Sequence, residues 1–359
     1  MKIATVVGAR PQFVKSSMVS KHFRDMNNVE EVIIHTGQHF GEKMSSVFFE
    51  QMEIPEPRYN LGINSLSHGA MTGRMLEKIE SVILSEKPDW VLVYGDTNST
   101  LAGGLSAVKL DVPLAHIEAG LRSFNMQMPE EINRILTDRV STLLFCPTET
   151  SVRNLEKEDI GNNRGNKVVL SGDVMYDAYL HFTGNAKRMS SIIQDLDLED
   201  SPFLLCTIHR PENTNNQERL ENILRALDSL SAKQKVVLPL HPRTKMAINK
   251  NKLTTLCKII PPVSFNDMIE LVRNCSLVLT DSGGLQKEAY FSGKLCVILR
   301  DETEWVELVD AGACYIAGAK SSAILTLADD LAGKKTDFSQ NLYGNGEAGS
   351  IIVNELMRA

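Results

Sequence analysis

The fold of this chain is decided by one stretch: Val112-Pro-Leu-Ala-His-Ile-Glu-Ala-Gly-Leu-Arg-Ser-Phe-Asn-Met-Gln-Met-Pro-Glu-Glu-Ile-Asn-Arg134. An apolar run opens it, and a helical pattern from Glu130 to Val140 follows Pro129. From His116 to Arg134 the stretch holds three carboxylates, two arginines and one histidine. Charged groups crowded between a buried strand and a helix are unfavourable unless they bind or react with something. The stretch therefore predicts a strand that leads into a functional site at the start of a helix.

Length and composition limit what the rest of the chain can be. It has 359 residues, too many for one ordinary core, so we expect two domains. Apolar residues make up 43% and charged residues 23%, which is typical of a globular enzyme. The formal net charge of −7 argues against nucleic acid as a partner. An anionic small molecule is still compatible with it, because a few placed cations suffice.

The cysteines and the apolar runs indicate the cellular compartment of the protein. No Cys-x-x-Cys pair occurs, and most cysteines lie in apolar runs, so we expect reduced, buried thiols. The six cysteines are Cys146, Cys206, Cys257, Cys275, Cys296 and Cys314. The first residues run into a strand pattern without the features of a signal peptide. Because no apolar run reaches the ~18 residues of a membrane span, we predict a cytoplasmic protein with no membrane partner.

Short apolar runs alternate with longer amphipathic runs along nearly the whole chain. Lys2–Val7 is typical of a strand, and Met71–Leu84 has the apolar spacing of a helix. The pattern restarts after Gly172. It predicts an α/β fold of two doubly wound domains that face a cleft, each with a parallel sheet between helices. The predicted domains are residues 1–171 and 172–347, and a C-terminal helix at about residues 348–359 packs back on the first.

The first strand pattern ends in Gly8-Ala-Arg-Pro-Gln-Phe-Val-Lys15. Gly8 permits a tight turn, and Pro11 suits the first turn of a helix. Arg10 and Lys15 then lie near a helix N-terminus, which favours anions, although an ordinary strand–helix turn explains these residues as well. The Gly-x-Gly-x-x-Gly dinucleotide motif is absent, so the sequence does not support NAD binding.

Three carboxylates follow strand patterns that should end at one edge of the first sheet. Asp96 follows one strand, Glu118 ends the next, and Glu130 begins the following helix. Taken alone, Asp96 is explained best as a helix cap, and Glu130 and Glu131 as acidic residues that suit a helix N-terminus. That alternative accounts poorly for three converging carboxylates. A convergent set instead suits general acid and base chemistry.

In the second half, His209-Arg-Pro-Glu-Asn213 and His241-Pro-Arg243 each follow an apolar strand pattern. A capped structural histidine is the alternative for His209, and neither His/Arg pair has the spacing of a zinc site. Thr280-Asp-Ser-Gly-Gly284 joins a strand to a helix, whose N-terminal amides can bind a diphosphate. Glu288, one turn further, is placed to reach ribose hydroxyls. The alternative for this segment is an ordinary glycine-assisted turn.

Seven motifs in a fixed order cover nearly the whole chain. They are Gly8-Ala-Arg-Pro, His35-Thr-Gly-Gln-His39, Gly95-Asp-Thr, His116-Ile-Glu-Ala-Gly-Leu-Arg122, Pro129-Glu-Glu-Ile-Asn-Arg134, His209-Arg-Pro-Glu-Asn213 and Thr280-Asp-Ser-Gly-Gly284. This set resembles the non-hydrolysing UDP-N-acetylglucosamine 2-epimerase family. The resemblance implies two Rossmann-like domains of the GT-B-type fold, a catalytic first domain, a UDP-binding second domain and a homodimer. It implies neither a metal nor a nicotinamide cofactor.

The resemblance also implies a reaction that serves surface polysaccharide precursor synthesis. UDP is eliminated from C1 of the UDP-sugar as the C2 proton leaves, and it adds back after a proton reaches the other face of C2. The catalytic positions fall on Asp96, Glu118, Glu130 and His209, with the carboxylates in proton transfer and His209 at the leaving diphosphate. The UDP-binding positions fall on Arg10, Ser282, Gly283, Gly284 and Glu288, with Lys15, His241, Arg243 and Phe265 nearby.

Two departures from the family pattern concern the sugar and its regulation. Ser123–Met128, together with Thr303–Glu307, looks closer to the branch that acts on UDP-2,3-diacetamido-2,3-dideoxyglucuronate than to the branch that acts on UDP-N-acetylglucosamine. Some members bind a second, activating UDP-sugar, and Phe40 stands where they often have arginine. The candidate positions for that site are Gln38, His39, Arg74, Arg210 and Glu212. Three alternative functions are a glycosyltransferase on the same fold, a hydrolysing 2-epimerase and a non-catalytic nucleotide-sugar sensor.

Overall fold

The computed structural model describes residues 1–38, 49, 53–161 and 165–359, without the side chains of residues 10 and 185–189. The described chain forms two compact units. The first comprises Met1–Ala178 together with Asn341–Ala359, and the second comprises Tyr179–Gln340. Each unit has its own parallel sheet and its own apolar core. The α/β fold class predicted from the alternating pattern is confirmed.

The first unit is built on a parallel sheet that has seven strands within the described residues, in the order β3-β2-β1-β4-β5-β6-β7. The strands are β1 (Lys2–Val7), β2 (Glu30–His35), β3 (Tyr59–Asn60), β4 (Trp90–Tyr94), β5 (Leu114–Ile117), β6 (Leu143–Cys146) and β7 (Lys167–Leu170). All residues of β4 and β5 are buried, because helices cover both faces of a parallel sheet. The order reverses at β1 and β4, so their carboxyl ends mark the place where doubly wound sheets bind ligands.

Helices of the first unit follow its strands. They are α1 (Arg10–Arg24), α2 (His68–Glu86), α3 (Asn98–Lys109), α4 (Pro129–Val140), α5 (Glu149–Lys157) and α6 (Val174–Met189), the last of which continues into the second unit. The small residues of α3 let it approach the sheet closely. A Cβ atom on Gly103 would lie 3.0 Å from Val93 Cγ1 and 3.2 Å from the side chain of Val6. Gly103 therefore allows α3 to pack closely against β1 and β4.

The second unit has a parallel sheet of six strands in the order β10-β9-β8-β11-β12-β13. The strands are β8 (Phe203–Thr207), β9 (Lys235–Pro239), β10 (Lys258–Ile260), β11 (Leu277–Thr280), β12 (Cys296–Ile298) and β13 (Cys314–Ile316). The helices are α7 (Ile192–Asp195), α8 (Pro211–Thr214), α9 (Gln217–Ser231), α10 (Pro242–Lys250), α11 (Phe265–Asn274), α12 (Gly283–Phe291), α13 (Val306–Asp310) and α14 (Ser321–Leu331). Here the order reverses at β8 and β11, whose carboxyl ends lie side by side.

A last helix, α15 (Ala348–Arg358), belongs to the first unit. The Asp177 carboxylate accepts a hydrogen bond from the Gly349 N–H at 2.8 Å, which holds the start of α15. Gly349 is needed there because a Cβ atom would lie 2.9 Å from the His22 ring of α1. All six cysteines are buried and free, as predicted. A membrane span would require a longer or more apolar helix than any that the described residues contain.

Candidate active site

The turn between β4 and α3 carries the first predicted carboxylate, Asp96. Thr97, not Asp96, caps α3, because its hydroxyl accepts a hydrogen bond from the Thr100 N–H at 3.3 Å. The interpretation of Asp96 as a helix cap is therefore wrong. Its carboxylate instead pairs with the guanidinium group of Arg134. Gly95 precedes it with a φ of +63°, a conformation that glycine adopts without strain.

Gln12 ties this turn to the turn between β1 and α1. Its Oε1 accepts hydrogen bonds from the N–H groups of Gly8 at 2.8 Å and Ala9 at 3.0 Å. Its Nε2 donates to the carbonyl of Tyr94 at 2.8 Å and to the hydroxyl of Thr100 at 3.0 Å. Gln12 is not among the residues predicted from sequence. The signal for it is a glutamine at the third position of α1, where a side chain can reach back to the preceding amides.

Glu118 directly follows β5 and has a left-handed conformation, with a φ of +70°. Its carboxylate forms an ion pair with Lys15 of α1, and both side chains are buried. A Cβ atom on Gly95 would lie 3.0 Å from Glu118 Oε2 and 3.1 Å from Lys15 Nζ. The pair thus lies directly against the turn that carries Asp96. Lys15, predicted from sequence near UDP, has this catalytic candidate as its partner.

The two adjacent glutamates at the start of α4 differ in environment. The Glu130 side chain is half-buried, and within the described residues it forms no hydrogen bond or ion pair. Glu131 is fully buried and accepts a hydrogen bond from Arg134 at 2.8 Å. It also accepts hydrogen bonds from the backbone N–H groups of Ser123 at 3.0 Å and Phe124 at 2.8 Å. The carboxylate next to Asp96 in this network is therefore that of Glu131.

His116 lies in β5 and is completely buried. Its Nδ1 is 2.7 Å from Asp138 Oδ1 and its Nε2 is 2.7 Å from the carbonyl of Gly95. Burial alone would raise the pKa of Asp138, but hydrogen bonding to His116 and the charge of Arg122 lower it below its usual value. Both ring nitrogens therefore have a partner within the described structure. The contact through Nε2 holds the Gly95 carbonyl, which precedes Asp96 in the turn.

In the second unit, Asp281 organises the segment that follows β8. Its buried carboxylate accepts hydrogen bonds from the backbone N–H groups of His209 at 3.0 Å and Arg210 at 2.9 Å, and from Asn213 Nδ2 at 3.1 Å. The His209 Nδ1 atom is 3.5 Å from Asp281 Oδ1. His209 and the loop of Asp281 are predicted from sequence as two separate features. Their contact follows from the pairing of β8 with β11.

Several cations surround His209. Burial lowers the pKa of its ring below the ordinary value; Asp281 opposes this effect, and Arg210 and Arg243 add to it. The ring of His241 lies 5.4 Å away, and His241 Nδ1 accepts a hydrogen bond from the Arg243 N–H at 3.2 Å. Two imidazoles and two guanidinium groups at one sheet edge form a group that suits a diphosphate.

The start of α12 is the predicted diphosphate site. The Ser282 hydroxyl caps the helix, and the Ser282 N–H donates to Thr280 Oγ1 at 2.9 Å. Gly283 lies against the carboxylate of Glu304, which is 2.8 Å from Arg300 and 3.7 Å from Arg210. Arg300 is not among the residues predicted from sequence.

The remaining UDP candidates lie in different environments. Glu288 is buried one turn inside α12, and Gly284 is half-buried beside Ser282. Phe265 is also buried, and its ring packs edge-on against Phe182 at 5.8 Å. Arg10 begins α1, but its side chain lies outside the described part of the structure.

The predicted regulatory residues are spread over both units. Gln38 accepts hydrogen bonds from the backbone and the hydroxyl of Ser99, at 3.0 and 2.8 Å. His39 lies outside the described residues, and Arg74 is exposed on α2. Glu212 is 3.5 Å from Arg300. Within the described ranges, no group of three His, Cys, Asp or Glu residues could hold a metal ion.

Comparison with known proteins gives consistent matches. The family model described as UDP-N-acetylglucosamine 2-epimerase matches residues 21–357. The chain is 53% identical over the full length of both chains to the UDP-2,3-diacetamido-2,3-dideoxy-D-glucuronate 2-epimerase of Pseudomonas aeruginosa. The structure is similar to UDP-GlcNAc 2-epimerase of Methanocaldococcus jannaschii in complex with UDP-GlcNAc and UDP, with a TM-score of 0.94, 40% identity and full coverage of both chains. It is also similar to UDP-GlcNAc 2-epimerase of Neisseria meningitidis bound to UDP-GlcNAc, with a TM-score of 0.91, 32% identity and full coverage.

Proposed function

Since the chain belongs to the UDP-N-acetylglucosamine 2-epimerase family, we propose that it is an isomerase that inverts C2 of a UDP-linked 2-acetamido sugar. One observation in the first unit supports this proposal above all others. Asp96 directly follows Gly95, the Lys15–Glu118 pair lies against that glycine, and Asp96 and Glu118 follow the neighbouring strands β4 and β5. A reaction that removes a proton from one face of a carbon and returns it to the other needs more than one such group.

The chemistry follows from the weak acidity of the C2 hydrogen. A carboxylate removes the C2 proton while the C1–O bond breaks, so that UDP leaves and a C1=C2 double bond forms. Protonation of C2 on the opposite face and re-addition of UDP to C1 then give the epimer, and no atoms are gained or lost. We assign proton transfer to Asp96, Glu118 and Glu130, and stabilisation of the departing diphosphate to His209.

UDP binding is proposed for the second unit. His209, Arg210 and Arg243 supply positive charge, and the amides at the start of α12 supply hydrogen-bond donors beside Ser282. Glu288, buried one turn later, is proposed to accept hydrogen bonds from the ribose hydroxyls. This division places the proton-transfer groups and the leaving-group ligands on separate sheets.

For the sugar, we propose UDP-2,3-diacetamido-2,3-dideoxyglucuronate. The support is the relative of that name, which is 53% identical along its whole length. UDP-N-acetylglucosamine is the second candidate, because the structurally similar archaeal and meningococcal enzymes are named for it. A homodimer is a further part of the proposal, and light scattering of the purified protein would test it.

Incubation of the protein with each UDP-sugar in deuterated water tests the proposal. We expect deuterium at C2 and a mixture of the two C2 epimers by NMR, without any acceptor, and faster exchange for the diacetamido uronate. A glycosyltransferase would leave C2 unlabelled, and a hydrolysing epimerase would release free sugar in amounts equal to UDP. Either result, with both sugars, would refute the proposed function.

A further inference from the structure

Arg134 of α4 joins two carboxylates that lie far apart in sequence. Its NH1 donates to Glu131 Oε2 at 2.8 Å, and its NH2 pairs with Asp96 Oδ2. The side chain is only 3% exposed. Because a guanidinium group is planar and rigid, its two ends fix the direction of one carboxylate relative to the other.

Glu131 links Arg134 to the segment before α4 through hydrogen bonds. Its Oε2 accepts hydrogen bonds from the backbone N–H and the hydroxyl of Ser123, both at 3.0 Å, and its Oε1 accepts from the Phe124 N–H at 2.8 Å. Both oxygens are thus used, and the carboxylate is buried. Glu131 also occupies the third position of α4, where the helix dipole favours a negative charge.

The segment held in this way is strained. Phe124 has a φ of +59°, a left-handed conformation that a bulky residue rarely adopts. Phe124 is nevertheless 75% exposed, and Met126 is 59% exposed. Folding gains little from a strained backbone that holds an aromatic ring in water. Strain of this kind, retained by a buried carboxylate, indicates a functional constraint on the segment.

A second contact from α4 fixes the backbone of Asp96. Asn133 Nδ2 donates to the Asp96 carbonyl at 2.9 Å and lies 3.2 Å from Asn98 Oδ1. Consecutive residues of α4 therefore hold the main chain and the side chain of Asp96. Movement of the first two turns of α4 would therefore displace this carboxylate and the Ser123–Phe124 segment together.

We propose that Arg134 is a positioning residue for Asp96, and that Glu131 couples this position to the Ser123–Phe124 segment, which selects the sugar. The inference rests on the proposed function and deepens it. It assigns the exposed Phe124 ring to the sugar part of the substrate rather than to UDP. Binding of the correct sugar at the Ser123–Phe124 segment then orients the Asp96 carboxylate for exchange of the C2 proton.

The test uses Arg134→Lys and, as a matched control on the same helix, Arg139→Lys. Lysine keeps the charge but has a single point of contact, so it cannot orient two carboxylates at once. We expect kcat for C2 deuterium exchange to fall about 100-fold in Arg134→Lys, because small displacements of a catalytic group have effects of this size. We expect KM to change less than about threefold and UDP affinity, measured by calorimetry, to stay within about twofold, since the proposed UDP ligands lie elsewhere. Arg139→Lys should match the wild type.

Phe124→Ala gives a second, independent readout. Because the ring is exposed, this variant should fold normally, which circular dichroism would check. We expect the ratio of kcat/KM for the two UDP-sugars to change about tenfold. An Arg134→Lys variant with wild-type kcat, or a Phe124→Ala variant with wild-type discrimination, would overturn the coupling while leaving the proposed function intact. A wild-type protein that labels neither sugar would refute the proposed function and this inference together.

Discussion

Replacing Glu31 with glutamine should stabilise the protein at alkaline pH and leave its stability in acid nearly unchanged. Glu31 lies on β2, and its carboxylate accepts hydrogen bonds from the hydroxyls of Thr5 at 2.6 Å and Ser20 at 3.1 Å. Its other oxygen is buried without a partner in the described structure. Burial raises the pKa of this carboxyl from 4.5 to about 7, although the two hydroxyls act in the opposite direction.

The size of the effect follows from that shift. Between pH 4.5 and about pH 7, the unfolded chain has lost the Glu31 proton and the folded chain has kept it. The free energy of unfolding therefore falls as the pH rises. The rise in pKa corresponds to about 3 kcal/mol of unfolding free energy. This stability is lost progressively from pH 4.5 to about pH 7, and the loss is constant above that pH. Glutamine cannot ionise and keeps an acceptor for Thr5 and Ser20. Glu31→Gln should therefore be more stable than the wild type by about 3 kcal/mol near pH 8, and about equally stable near pH 4.

The assay is urea unfolding followed by the fluorescence of Trp90, which lies in the first unit. A Trp305→Phe background removes the only other tryptophan. The exposed Glu56 supplies the control, since Glu56→Gln should leave the pH dependence of wild-type unfolding unchanged. Parallel stability curves for the wild type and Glu31→Gln between about pH 5 and pH 8 would show that the buried carboxyl does not retain its proton, and would refute the reasoning.

Three further predictions concern the proposed active site. Asp96→Asn and Glu118→Gln should each lower C2 deuterium exchange at least about 1000-fold while UDP still binds, and normal turnover by Glu118→Gln would contradict its catalytic role. Gly95→Ala should also lose activity and about 1 kcal/mol or more of unfolding free energy, because the added Cβ would lie 3.0 Å from Glu118 Oε2 at a φ of +63°. The control is Gly73→Ala, whose added Cβ would have no atom within 4 Å. Ser282→Ala should weaken UDP binding several-fold, as measured by calorimetry, and should destabilise α12 by about 1 kcal/mol because the helix cap is lost. An unchanged UDP affinity would exclude Ser282 from the diphosphate site.

Much of the fold could be predicted because its determinants are local in sequence. Apolar runs such as Trp90–Tyr94 and Phe203–Thr207 are buried on both faces of a parallel sheet, and the glycines of Asn98–Lys109 allow close packing. Strands that share a direction also bring their ends to one edge. The placement of Asp96 and Glu118 at the ends of paired strands therefore follows from the order of residues along the chain.

The partners of these residues could not be predicted in the same way. Sequence order alone does not show that Lys15 pairs with Glu118, 103 positions away, or that Arg134 pairs with Asp96, 38 positions away. Sequence order also does not show which of the two adjacent glutamates is buried. One step along a helix rotates the side-chain direction by about 100°, and the surface that packs against the helix decides which direction is buried. The sequence by itself thus determined the two sheets and the edges at which charged residues gather. Only the tertiary structure decided which charges meet, because the energy of a buried ion pair depends on distances and desolvation that exist once the helices have packed.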